Sequence, residues 1–183
     1  MSVAAPPARA SAGMAPPGVA VRRRLVVGIG EYAMSDAADD LVITHALGSC
    51  VAVCLHDPVA GVAGLIHVLL PESRINPQRA AEQPAAFADT GIPLFVRTAE
   101  TMGLVRKRTV VKLIGGAEIT NAGGNGAMNI GRRNVIAAKS LLWKLGLLIK
   151  AEAVGGTQAR TVHLFVGTGL ARISSGNNAV TEL

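Results

Sequence analysis

The chain has 183 residues, half of them hydrophobic and 16% charged, which excludes a disordered protein and suits one domain with a substantial core. The net charge of +6 points to nucleic acid only until it is located: residues 1–24 carry +4 from Arg9, Arg22, Arg23 and Arg24 with no acid, and the remainder carries +2. Aromatic residues are only 3% and the body has one short basic run, Arg106-Lys107-Arg108, so no nucleic-acid face is expected. No apolar run reaches the roughly 18–20 residues of a membrane span. The run after Arg22-Arg23-Arg24 stops at Glu31, short of a secretory h-region of about 7–15 residues. A cytoplasmic protein without direct membrane insertion is the expectation.

In chain order, residues 1–24 are rich in Ala, Pro and Gly without apolar periodicity and read as a disordered tail. Leu25 to Ile29 reads as a strand, 35–40 as a loop, and Leu41 to His45 as a second strand. Thr44 ends that strand before the tight turn Ala46-Leu47-Gly48-Ser49. Two β-prone runs follow, Cys50 to Asp57 and Val62 to Leu70, joined by Asp-Pro-Val-Ala-Gly. Residues 72–88 are polar and Pro-containing, the pattern of a mobile loop. Asp89 to Met102 reads as a helix, capped by Asp89 or Thr90, with Pro93 in its first turn. Thr109 to Ile114 is a strand, and 117–130 is too Gly- and Asn-rich for regular structure. Arg132 to Leu145 is a helix whose apolar face includes Val135, Ile136, Leu142 and Leu145. Strands are expected at Leu147 to Val154 and Thr161 to Val166, with a short one within 168–173. This order predicts a single-domain layered α/β sandwich, residues 25–176, with a mixed, largely antiparallel sheet flanked by helices and a C-terminal tail at 177–183.

The chemistry concentrates in the hairpin. A turn closed by Asp57 and Ala60 sets Cys50 directly opposite His67 on one face, with Cβ atoms about 4.5–5.5 Å apart. A bulge at Gly61 would slip the register by one and separate the faces. A thiol beside an imidazole is the minimal apparatus for nucleophilic catalysis. The Gly48-Ser49 turn offers backbone N–H groups that lower a thiol pKa and hold an oxyanion. His67 interrupts the apolar run Leu65-Ile66-His67-Val68-Leu69, so its ring needs a partner. His45 remains a second candidate for the base; His56 reads as a solvated residue beside the turn, and His163 as a strand residue with no visible partner. Cys54 reads as core. The two cysteines are about 13 Å apart along a strand, beyond disulfide reach, and too few ligands surround them for zinc. Gly115-Gly116, Gly123-Gly124 and Gly155-Gly156 match no nucleotide fingerprint and read as turns and close packing.

Several segments resemble the CheD family of bacterial chemoreceptor glutamine deamidases. They are THALGSCVAVCLHDP (Thr44 to Pro58), GVAGLIHVLLP (Gly61 to Pro71), KLIGGA (Lys112 to Ala117), NIGRRN (Asn129 to Asn134) and VGG (Val154 to Gly156), in order across Leu25 to Ile173. The long Arg-containing tail and His45 depart from the family's pattern. The resemblance implies a layered α/β sandwich, Cys50 as nucleophile, His67 as general base and Thr44 as a third active-site residue. It implies deamidation of receptor glutamines through a cysteine thioester, without metal or organic cofactor. It also implies association with a CheC-type chemotaxis phosphatase, so a non-catalytic regulator of such a partner and a different cysteine hydrolase stand as alternatives.

Overall fold

The computed structural model describes residues 20–118, 129–176 and 179–183. Among the described residues, ten strands form two five-stranded sheets. The first contains β1 (Arg23–Val27), β3 (Asp40–Leu47), β8 (Arg160–Phe165), β9 (Ala171–Ser175) and β10 (Val180–Glu182), in that order. The second has the order β2 (Tyr32–Ser35), β5 (Val62–Val68), β4 (Val51–Asp57), β6 (Val110–Gly115), β7 (Ile149–Val154). The described residues also form the α-helices α1 (Pro77–Glu82), α2 (Ala88–Thr101) and α3 (Ile130–Lys144). Pairing is antiparallel except β1 with β3 and β6 with β7.

Alternation along β4 explains the layering. Val51, Val53 and Leu55 pack with Ile92, Phe95, Val96 and Ala99 of α2 and with Ala138 and Leu142 of α3. Cys50, Ala52 and Cys54 instead meet Val42, Val162 and Leu164 of the first sheet. Successive side chains of a strand leave opposite faces, so β4 separates a helix layer from a sheet layer. β4 and β5 are buried throughout, as central strands covered on both sides must be. Among the described residues, the first sheet's outer face carries a small cluster of Leu41, Ile43 and Phe165. This layered mixed α/β sandwich is the architecture expected from the sequence.

The departures are local. β1 begins at Arg23, inside the segment read as tail, and β10 forms where a C-terminal tail was expected. β2 was not predicted, and its last residue, Ser35, opens the segment expected as a loop; the strand is short, and its pairing with β5 is non-local. Residues 72–88 wind into helical turns and α1, started by Asn76, whose side chain accepts from Arg79 N before Pro77. The segment ends with Phe87 fully buried. Neither Asp89 nor Thr90 caps α2. Asp89 accepts from the backbone and hydroxyl of Ser73, Thr90 donates to Pro84 O, and Pro93 falls in the second turn. On α3, Ile136 points outward, 57% exposed, while Asn134, Ala138 and Leu142 form the buried line. Gly123-Gly124 lies outside the described residues. At Gly115 a Cβ would strike Cys50 O and Leu47, and at Gly116 it would strike Val135, so this pair serves close packing.

The hairpin register differs from the one expected. Val51 faces Val68, Ala52 faces His67, and Asp57 faces Val62. The loop therefore spans Pro58 to Gly61, with Gly61 at φ 69° and its N–H bonded to Asp57 O at 2.9 Å. The Asp57 carboxylate, fully buried, accepts from the N–H groups of Val59, Ala60 and Val105 and from Arg108 at 2.7 Å. Asp-Pro-Val-Ala-Gly fits a two-residue or a four-residue closure, and these carboxylate bonds fix the longer one. Cys50 and His67 are thus diagonal rather than opposite neighbours. The slip is two residues, and a shift by two keeps both on the same face.

Candidate active site

His67 projects from β5 into the space between the sheets, on the face it shares with Leu65 and Ala63. Its backbone is pinned on the far side by β2's approach: His67 N donates to Glu31 O and Gly30 N donates to His67 O, at 2.9 and 2.8 Å. Thr44 reaches the same space from β3 of the opposing sheet. Its hydroxyl donates to Val27 O at 2.8 Å and lies 2.7 Å from His67 Nδ1. A hydroxyl has one proton. Since that proton goes to Val27, Thr44 Oγ1 accepts from His67, and Nδ1 carries the ring hydrogen. Nε2 is left with its lone pair, buried and without a partner among the described residues. The tautomer required of a general base at Nε2 follows from one carbonyl on β1.

Cys50 immediately precedes β4, 6% exposed. Diagonal positions across an antiparallel pair are about 7–8 Å apart at Cα, within reach of a side chain as long as histidine's. The approach to Cys50 is irregular. β3 breaks register between Thr44 and Leu47, and Ala46 has φ 55°, the sole non-glycine positive φ among the described residues. That conformation costs roughly 1–2 kcal/mol. Gly48 N folds back to Ala46 O, and Gly48 O accepts from Ala117 N. Cys50 O accepts from Gly116 N at 2.7 Å. The N–H groups of Ser49 and Cys50 donate to no other described residue. Gly48 therefore supports the turn through bonds already made, whereas the Ser49 and Cys50 amides are unspent.

Burial sets the electrostatics. It raises the Cys50 thiol above its usual range, partly offset by the residue's own amide. It lowers His67 to about 4. At neutral pH the resting pair is a thiol and a neutral imidazole, not an ion pair.

The other candidates are elsewhere. His45 follows Thr44 in the strand and leaves the opposite face. It is exposed and stacks edge-on against His163 at 6.5 Å, away from His67. His163 thus has a neighbour that the sequence did not reveal. His56 is buried, 8% exposed, because Gly169 packs against its ring; it was expected in solvent. Cys54 is core, 1% exposed, with its thiol pushed by burial to about 12. Both cysteines are free. Among the described residues no three His, Cys, Asp or Glu side chains gather as a metal site, and no helix is long and apolar enough to cross a membrane.

Sequence reasoning missed Asn134. It is fully buried on α3 and donates from Nδ2 to Ser49 O and Leu69 O, each at 2.9 Å. The available signal was a polar residue in the buried line of an amphipathic helix.

Fold and site together define a layered α/β protein with a thiol and an oriented imidazole enclosed between two sheets. Residues 69–175 match the family described as CheD chemotactic sensory transduction. The chain is 46% identical over 152 residues to the probable chemoreceptor glutamine deamidase CheD of Syntrophotalea carbinolica, covering 82% of this chain and 93% of that protein. It is 40% identical over 146 residues to the protein of the same name from Solibacter usitatus, covering 80% and 85%. With the chemoreceptor glutamine deamidase CheD of Thermotoga maritima it shares 41% over 144 residues, covering 79% and 87%. The chain belongs to the CheD family. The family match begins just past His67.

Proposed function

We propose that this chain deamidates glutamine side chains of chemoreceptors in the cytoplasm, with Cys50 as nucleophile, His67 as general base and acid, and Thr44 orienting the imidazole. The observation that carries the reading is a bare Nε2 on a ring locked through Nδ1, on the sheet face of Cys50. It stands in a chain whose relatives are named glutamine deamidases.

His67 Nε2 takes the thiol proton as sulfur attacks the carboxamide carbon. The amides of Ser49 and Cys50, in the turn supported by Gly48, donate to the resulting oxyanion; loss of one such donor costs about 10²–10³ in rate in other enzymes. The C–N bond breaks as the imidazolium passes its proton to nitrogen, giving ammonia and a thioester. Water, deprotonated by the same Nε2, attacks the thioester; the C–S bond breaks, glutamate leaves and the thiol is restored. A recessed thiol favours a carboxamide carried on a flexible stem, as glutamine's is. No metal or organic cofactor enters the scheme. A reducing cytoplasm keeps Cys50 and Cys54 as free thiols.

A second reading, a non-catalytic regulator of a CheC-type phosphatase, is favoured by one observation: the resting thiol is protonated and recessed. The test incubates a receptor cytoplasmic fragment with wild-type, Cys50→Ala and His67→Ala proteins and reads deamidation by mass spectrometry. Conversion by wild type and none by the variants is expected. Conversion by Cys50→Ala overturns the mechanism, no conversion by wild type supports the regulator, and backbone cleavage points to a different cysteine hydrolase.

A further inference from the structure

We propose that Asn134 is a positioning residue for the reaction, holding the nucleophile turn and the histidine strand together through one amide group. The inference rests on the deamidase reading above. Asn134 has two amide hydrogens and two carbonyl acceptors, Ser49 O and Leu69 O. That pair of acceptors fixes the amide's orientation, because the reversed group would set Oδ1 against two carbonyl oxygens.

The two acceptors are informative. Ser49 O belongs to the peptide whose N–H is that of Cys50. Across a planar trans peptide the carbonyl and N–H point in opposite directions, so fixing one fixes the other. Asn134 therefore sets the direction of an unspent amide beside the sulfur. Leu69 lies two residues beyond His67, just past the Val51–Val68 pair that ends the ladder, and packs against the cluster that holds Cys50. One side chain thus closes the open end of the hairpin where thiol and imidazole must meet.

The support beneath Asn134 is rigid. A Cβ on Gly131 would come within 2.6 Å of Gly116 O and 2.7 Å of Ala117 O, so the first turn of α3 sits directly on that backbone. Asn129 caps the helix by accepting from Arg132 N at 3.0 Å. Gly116 and Ala117 in turn donate to Cys50 O and Gly48 O. Helix start, strand end and nucleophile turn form one unit. Asn134 Oδ1 is buried without a partner among the described residues, a cost that an apolar residue in this line would avoid. The two N–H bonds are the compensation visible in the structure.

The experiment compares wild type, Asn134→Asp, Asn134→Ser and Leu142→Ala in full-length protein, each at a temperature where its melting curve shows it folded. Asn134→Asp keeps the shape and faces both carbonyls with an acceptor; Asn134→Ser keeps one donor and is the milder change. Expected is a fall in deamidation kcat of about 10- to 100-fold for Asn134→Asp, with KM within about threefold, the size associated with misplacing a reacting group. Cys50 alkylation by iodoacetamide, followed against pH without substrate, should shift its midpoint in both Asn134 variants and not in Leu142→Ala. Wild-type kcat and an unshifted alkylation profile in folded Asn134→Asp and Asn134→Ser overturn the inference. An equal kcat loss in folded Leu142→Ala overturns it too, because the effect is then general loosening. Cys50→Ala, run alongside, separates the two layers: activity there overturns the deamidase mechanism, whereas an inactive Cys50→Ala with fully active Asn134 variants overturns only the role of Asn134.

Discussion

Thr44→Val tests the site where its physics is most exposed. Valine matches threonine in shape and replaces the hydroxyl by a methyl group. Two bonds disappear, from Oγ1 to Val27 O and from His67 Nδ1 to Oγ1. All of this lies in a fully buried position, so water does not replace them. Each orphaned group costs about 1–3 kcal/mol of folded stability. The catalytic effect is separate. Without an acceptor at Nδ1, nothing holds the ring hydrogen there, and the tautomer that carries it on Nε2 is not a base at Nε2. In the proposed mechanism, when imidazolium forms during attack its charged Nδ1–H donor loses its hydrogen-bond acceptor, a contact worth about 1.5–3 kcal/mol. Removing that from the transition state alone predicts a kcat about 10- to 150-fold lower.

Ammonia release from a receptor fragment gives kcat, and thermal melts set a temperature at which both proteins are folded. Thr44→Ser is the control, since it keeps donor and acceptor and loses only a methyl group; it should stay within about threefold of wild type, because the hydrogen bonds and not the methyl carry the effect. Folded Thr44→Val with kcat within about twofold of wild type would refute the tautomer argument, being far below the energy assigned to the lost bond. Equal damage in Thr44→Ser and Thr44→Val would move the cause from hydrogen bonding to packing.

Four further outcomes follow from the structure. Because burial raises the Cys50 thiol above its usual range and lowers His67 to about 4, Cys50 alkylation should keep rising into the alkaline range with no plateau near neutrality; a plateau at pH 7 would mean a resting thiolate. The same His67 shift affects stability. Its folded pKa lies below the unfolded 6.5, so the unfolded chain binds the proton first, and the contribution is complete above pH 6.5 and lost on going down to about 4. That loss, on the order of 3 kcal/mol, should appear in urea melts of wild type and be absent from His67→Gln. At Asp57, burial alone would raise the carboxyl, but Arg108 and three backbone amides outweigh it and hold it well below the usual carboxylate range. Asp57→Asn should cost about 3–5 kcal/mol in urea melts, and a cost below about 1 kcal/mol would show that the clamp contributes little. At Gly131 two effects have opposite signs: helix propensity favours alanine by about 1 kcal/mol, whereas the close carbonyls make overpacking cost about 1–3 kcal/mol. Gly131→Ala should be net destabilising by thermal melt, and stabilisation would remove the argument that α3 sits directly on the Gly116 backbone.

What could be read from the letters was governed by period two. The small residues Cys50, Ala52 and Cys54 alternate with Val51, Val53 and Leu55, and that alternation alone puts the thiol on the face opposite the helices. It also protected the conclusion from the register error, since a slip of two keeps the parity. The loop length was not readable, because it depends on a carboxylate bonding three amides and an arginine 51 residues away. Nor was the division into two sheets. β1 beside β3 and β3 beside β8 are long-range pairings that leave no local trace. Thr44 and His67 meet across the gap between sheets, so hairpin reasoning could not bring them together, and resemblance alone suggested Thr44. His45 was a competitor in sequence only because adjacency along a strand conceals that neighbours face opposite ways.

The resting electrostatics bear on how such a site remains selective. Burial raises the thiol and lowers the imidazole, so moving the proton from Cys50 to His67 is uphill in the resting site. An isolated thiolate–imidazolium pair is therefore scarce, and Cys50 resists adventitious electrophiles while no substrate is bound. Under the deamidase reading, proton transfer becomes affordable only as the C–S bond forms, because the negative charge then moves from sulfur to the carboxamide oxygen, where the Ser49 and Cys50 amides are unspent. The same low basicity makes the imidazolium, once formed, a strong acid toward departing ammonia, the leaving group that most needs a proton. Burial of His67 between two sheets thus weakens the base in the first half of the reaction and strengthens the acid in the second. For an amide substrate the second half is the harder one, which is why a neutral, enclosed imidazole suits this chemistry better than a preformed ion pair.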